Sequence, residues 1–79
     1  MTPVIIYGKP GCVNCDKAKM LCNIKLIDFI YYVVGQDITI DELIKVVGKK
    51  VSTLPQIFIM TDGLFEHIGG YEELREKLS

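Results

Sequence analysis

The chain has 79 residues, enough for one hydrophobic core and no more, so residues 1–79 read as a single domain. Apolar residues make up 49% and charged residues 24%, a globular composition that excludes a disordered tail. Nine basic against ten acidic side chains leave a net charge of −1, which argues against a binder that works by neutralising nucleic-acid phosphates. Three cysteines do not suit a secreted domain stapled by disulfides, where an even count is usual. No basic residue precedes the apolar run Val4-Ile5-Ile6, so no signal peptide is expected. The greasiest stretch, Leu21 to Gly35, is broken by Lys25 and Asp28 and is too short for a membrane span. A small cytoplasmic domain, monomeric and with neither nucleic-acid nor membrane partners, is the expectation.

Val4-Ile5-Ile6-Tyr7 is a β-branched run closed by Gly8, Pro10 and Gly11, which predicts a short strand leading into a loop. From Cys12 the small and apolar residues Cys15, Ala18, Leu21 and Cys22 fall at helical spacing, with Asp16, Lys17, Lys19 and Asn23 opposite, and the helix should end near Asn23 or Ile24. Asp28 to Val34 is apolar at every position but the first, the pattern of a strand covered on both faces. Thr39-Ile40-Asp41-Glu42 is a capping box. It opens a helix with Ile40, Leu43, Ile44 and Val47 on one face and Gly48 at its end. Pro55–Met60 and Leu64–Ile68 flank Thr61-Asp62-Gly63 as a hairpin, and Tyr71 to Leu78 forms a last helix. The order βαβα–ββα predicts an α/β domain with a parallel pair extended by antiparallel strands, a four-stranded mixed sheet flanked by three helices.

Cys12 and Cys15 stand at i and i+3 where the first helix begins. The open amides and dipole of a helix start favour a thiolate on the first sulfur, and the second lies close enough to attack a mixed disulfide formed on it. Lys9 adds a nearby positive charge. The loop between the two cysteines is too short for a cross-link there to gain much from chain entropy, so a structural staple explains the pair poorly. A zinc site would need Cys22 and His67 as further ligands. Cys22 shares the inward face of the helix with Cys15, and His67 lies far along the chain. Redox chemistry with no metal is the better reading, and Cys22 reads as a small buried hydrophobe.

Three segments carry a family resemblance: Lys9-Pro10-Gly11-Cys12-Val13-Asn14-Cys15, Thr53-Leu54-Pro55-Gln56-Ile57-Phe58-Ile59, and Ile68-Gly69-Gly70-Tyr71-Glu72-Glu73-Leu74. In this order and near this spacing they resemble the signature segments of the glutaredoxins, across essentially the whole chain. The resemblance implies a thioredoxin-like fold and a dithiol oxidoreductase with glutathione as reductant and no tightly bound cofactor. It implies a cis Leu54–Pro55 bond, with the Leu54 backbone pairing with the cysteinyl residue of glutathione beside Thr53. It further implies that Gly69, Gly70, Tyr71 and Glu72 receive the γ-glutamyl end, Glu72 meeting its ammonium. Lys9 would hold the glycyl carboxylate, helped by Gln56 or by Lys49 and Lys50. A disulfide-bearing client protein is implied as partner, ribonucleotide reductase among the candidates.

Val13-Asn14 departs from the Pro-Tyr familiar between glutaredoxin cysteines and is closer to the Val-Gln of the NrdH-redoxins, which thioredoxin reductase reduces. Those proteins lack both the Thr-X-Pro-Gln-Ile-Phe strand and the Gly-Gly-Tyr-Glu ending found here. A cluster-holding module, as some glutaredoxins are, is the third reading.

Overall fold

The computed structural model describes residues 3–79; residues 1–2, which open the N-terminal run considered above for a leader, lie outside it. The elements follow in the order β1 (Val4–Gly8), α1 (Val13–Ile24), β2 (Phe29–Val33), α2 (Ile40–Val47), β3 (Gln56–Thr61), β4 (Leu64–Gly69) and α3 (Tyr71–Leu78). The strands form one sheet in the order β2-β1-β3-β4. β1 pairs with β2 in parallel and with β3 antiparallel, and β4 adds to β3 as the hairpin partner. Among the described residues no helix is long and apolar enough to cross a membrane.

Alternation along the two central strands sorts the core into two layers. Val4 and Ile6 of β1 and Ile57 of β3 point to one face, where they meet Ala18 and Cys22 of α1 and Leu74 of α3. Tyr7 and Phe58 point to the other, under Leu43 of α2. Tyr7 stands edge-on to Phe58 at 5.8 Å between ring centres and stacks on Tyr32 at 5.3 Å. β2 is the one strand that departs from its sequence pattern. Its residues were expected to be covered on both sides, but it lies at the sheet edge, Ile30 is exposed and the rest are half-buried. Only β1 stands beside it, so one long side of the strand has no neighbour in the sheet.

The helix ends have local causes. Thr39 caps α2 through Glu42 N–H at 3.0 Å, while the Glu42 carboxylate accepts from Thr39 N–H at 2.9 Å, completing the box. Gly48 closes the same helix in the left-handed region, at φ 84°. α1 ends instead on Leu26 at φ 57°, with Ile27 N–H returning to Cys22 C=O at 2.9 Å, so a non-glycine residue takes the left-handed position. At the hairpin tip Asp62 and Gly63 both have positive φ, 52° and 83°, the two-residue turn that matches the twist of paired strands.

Leu74 is the residue by which α3 joins the core. Leu74→Ala should cost about 2–5 kcal/mol of folding stability by the cavity it leaves, read from the urea midpoint at constant m. The bonds from Thr39, backbone first, hold the Glu42 carboxyl below its usual value. Because the folded pKa is the lower one, this contribution is present above the unfolded pKa and is lost as pH falls through the folded value. Wild type and Glu42→Ala should therefore differ in urea midpoint near neutrality and converge in acid; a gap unchanged by acid would show that the carboxylate bond is not its source.

Candidate active site

Strand β1 delivers the chain through Gly8–Gly11 to the N-terminus of α1, and Cys12 is the N-cap residue of that helix. Its sulfur accepts from Cys15 N–H at 3.2 Å, taking the place that a Ser or Asp oxygen holds in most caps. Cys12 and Cys15 are joined as a disulfide with their Cα atoms 5.2 Å apart. Cys12 is partly exposed, whereas Cys15 is fully buried beneath it. Cys22, two turns along the same inward face, is a free buried thiol, and burial pushes its pKa up, so it stays protonated and packs as a hydrophobe.

Tyr31 of β2, which the sequence gives only as one residue of an apolar strand, stands behind this pair. Its hydroxyl donates to Lys9 C=O at 3.5 Å and the Lys19 ammonium lies 4.3 Å from its ring centre. Burial, and then the charge of Asp16, raise its pKa, so the phenol remains protonated. A Cβ at Gly8 would collide with the Tyr31 hydroxyl, and would lie 2.8 Å from Tyr31 Cζ and 2.9 Å from Cys15 Sγ. The missing side chain at Gly8 is the space in which tyrosine and sulfur meet.

The Leu54–Pro55 peptide bond is cis, as the resemblance implied. Leu54 C=O lies 3.6 Å from Cys12 Sγ. Two clefts meet at the loop before β3. One, of about 420 Å³, is bounded by Lys49, Lys50, Ser52, Thr53, Gln56, His67, Gly69, Gly70 and Glu73. The other, of about 190 Å³, is bounded by Lys9, Ile40, Val51, Ser52, Thr53 and Leu54. Ser52 and Thr53 line both, so the two clefts adjoin along this loop as a groove, with Leu54 among the residues of the smaller one.

Three residues of the sequence reading are placed differently. Glu72 was expected to face a ligand ammonium, but its carboxylate pairs with Arg75 at 3.1 Å on the exposed side of α3. The acid that faces the groove is its neighbour Glu73, whose Oε1 accepts from Gly70 N–H at 2.7 Å. Counting from Gly70 as N-cap puts Glu73 at the third helical position, the capping-box place, and that was the signal available. Gln56 was expected to help hold a carboxylate. Its amide is instead spent internally, on Thr53 C=O at 2.8 Å and on His67 Nε2 at 2.6 Å. Tyr71 packs at the margin of the core with the Lys17 ammonium 5.8 Å from its ring centre, outside both clefts. Lys9, Thr53, Leu54, Gly69 and Gly70 lie along the groove, and Pro55 is buried behind it.

Gly8→Ala should destabilise the fold by about 1–3 kcal/mol through overpacking. In a Tyr31→Phe background, where the hydroxyl is gone, the same change should cost less; additive urea-unfolding losses would refute the contact as its cause.

The sequence profile of the glutaredoxin family matches residues 4–64. A glutaredoxin of Haemophilus influenzae is 45% identical over 62 residues, 71% of each chain. Among solved structures, glutaredoxin 1 of Francisella tularensis, complexed with cacodylate, superposes with a TM-score of 0.68 at 31% identity, covering 95% of this chain and 90% of its own. A buckwheat glutaredoxin–glutathione complex superposes with a TM-score of 0.72 at 26% identity, covering 96% and 67%. A cysteine pair at the start of its helix, the matched profile and these relatives lead to one assignment: the chain belongs to the glutaredoxin family and is a thiol-disulfide oxidoreductase.

Proposed function

We propose that Cys12 is the nucleophile and Cys15 the resolving thiol of this enzyme, and that glutathione is its reductant. The observation that carries the reading is the groove at the Leu54 loop, whose carbonyl lies beside the partly exposed Cys12. The Leu54 backbone lies against Cys12, Lys49 and Lys50 supply positive charge, and Gly69–Gly70 lead into the start of α3. A tripeptide with two carboxylates and one ammonium is complementary to that arrangement. Its cysteinyl residue would pair with the Leu54 backbone as a short added strand, setting its sulfur at Cys12. The γ-glutamyl carboxylate is suited to the amides at the start of α3, and Glu73 rather than Glu72 is the acid available to its ammonium. The buckwheat glutathione complex supports this reading.

The chemistry is thiol–disulfide exchange. The Cys12 thiolate attacks one sulfur of the client disulfide; the new bond to Cys12 forms as the old one breaks, and the other client sulfur leaves and takes a proton. Cys15, as thiolate, then attacks Cys12 Sγ, releasing the second client sulfur and closing the Cys12–Cys15 disulfide. One glutathione opens that disulfide, forming a mixed disulfide on Cys12, and a second removes the first as oxidised glutathione. Two electrons pass and every proton lost from a thiol is gained by another. Ribonucleotide reductase, which needs two electrons per turnover, is the client class proposed on family analogy, in a cytoplasmic setting where thiols are kept reduced.

Cys12→Ser should abolish every exchange activity. Cys15→Ser should lose the reduction of protein disulfides but retain removal of glutathione from glutathionylated substrates. Both are read by NADPH consumption coupled through glutathione reductase. Activity surviving Cys12→Ser would invert the roles, and reduction of the wild type by thioredoxin reductase but not by glutathione would replace the reductant.

A further inference from the structure

Gln56 is a buried polar residue, only 9% exposed, whose amide has both ends engaged. Thr53 C=O can only accept, so the Gln56 amide nitrogen must face it, and the Gln56 oxygen is thereby turned toward His67. An oxygen there requires a donor on His67 Nε2, at 2.6 Å. The imidazole is therefore the Nε2–H tautomer, with Nδ1 as the nitrogen left to titrate. Burial, followed by the charge of Lys49, lowers its pKa, so the ring is neutral at neutral pH. The ring is also held by packing, tilted 45° against Phe58 at 5.0 Å between centres.

We infer that His67 is a positioning residue: it orients the Gln56 amide, which pins the Thr53 carbonyl and so fixes the Leu54 backbone edge opposite Cys12. The loop requires such a strut. Thr53 and Leu54 precede β3, so no sheet ladder holds them, yet Leu54 C=O must keep its place beside the sulfur. A β-bulge makes the connection possible. Ile57 pairs with Gly69 but Phe58 with His67, so Ile68 is the extra residue on β4. His67 thereby faces the same side of the sheet as Phe58 and Gln56 and reaches the amide across the hairpin.

The inference deepens the glutathione reading and rests on it for its kinetic test; its dynamic test stands apart. His67→Phe keeps the aromatic packing on Phe58 and removes the donor, whereas His67→Gln places an amide N–H near the position of Nε2. With a glutathionylated peptide as substrate, His67→Phe should raise KM about three- to tenfold, the effect of losing one ordinary hydrogen bond, with kcat little changed. His67→Gln should restore KM toward wild type. Backbone 15N relaxation of the reduced protein should show Thr53 and Leu54 more mobile in His67→Phe and restored in His67→Gln, with no glutathione present. The wild-type imidazole 15N spectrum should show Nε2 protonated in the neutral ring. An Nδ1–H tautomer, or a folded His67→Phe with unchanged loop order, would overturn the inference. Wild-type failure to turn over with glutathione would remove the reductant proposal, while the relaxation data would still decide the role of His67.

Discussion

A sulfur atom occupies the N-cap of α1, and the rest of the site is arranged around that substitution. An N-cap oxygen is a good acceptor in any state, whereas a thiol sulfur is a weak one and a thiolate a strong one. The bond from Cys15 N–H to Cys12 Sγ is present in the disulfide form; under the proposed mechanism the same amide would cap the Cys12 thiolate once the disulfide is opened, joining helix capping to the chemistry. Cys15, the proposed resolving residue, is tied to it by the same bond, since the amide that caps the sulfur is its own. The segment before the helix must then bring β1 to its N-terminus with no bulk at Gly8, where Tyr31 and the Cys15 sulfur take the space.

The substrate-facing side is held by different means. The disulfide sits on a helix and needs little support, but the loop that meets it carries no regular structure, and its carbonyl is fixed through side chains on β3 and β4. The larger cleft is thus assembled from two stretches of chain, 49–56 and 67–73, that the β3–β4 hairpin draws together. Glu73 completes it from α3 by satisfying Gly70 N–H, the amide at which the glycine turn becomes a helix.

What the sequence disclosed was local. The capping box at Thr39, the glycine stop at Gly48, the hairpin turn at Asp62–Gly63 and the cysteine pair at a helix start each depend on a few consecutive residues, and each stands where the pattern put it. What it did not disclose depends on contacts between distant segments. Glu72 and Glu73 are adjacent acids in one first turn, and only the docking of Leu74 into the core decides which of them faces the groove. Gln56 reads as a free polar group until the bulge at Ile68 brings His67 to it. Tyr31 reads as one of several apolar residues on a strand, and its place behind Cys15 follows from β2 lying parallel beside β1. The strand pattern itself misjudged β2, because a run of apolar residues does not distinguish a central strand from an edge strand flanked by aromatic neighbours.

Cys22 gives the molecule a property that its redox chemistry does not use. When Cys12 and Cys15 are bonded, Cys22 is the single remaining thiol, and it is fully buried between α1 and the sheet. A thiol reagent can reach it only when that helix face parts from the strands. Its rate of labelling in the oxidised protein is therefore a clock for the opening of the larger core layer, in the way that amide exchange reports the opening of a backbone hydrogen bond. Oxidation silences the two reactive sulfurs and leaves the buried one as an internal gauge of how tightly the domain is closed.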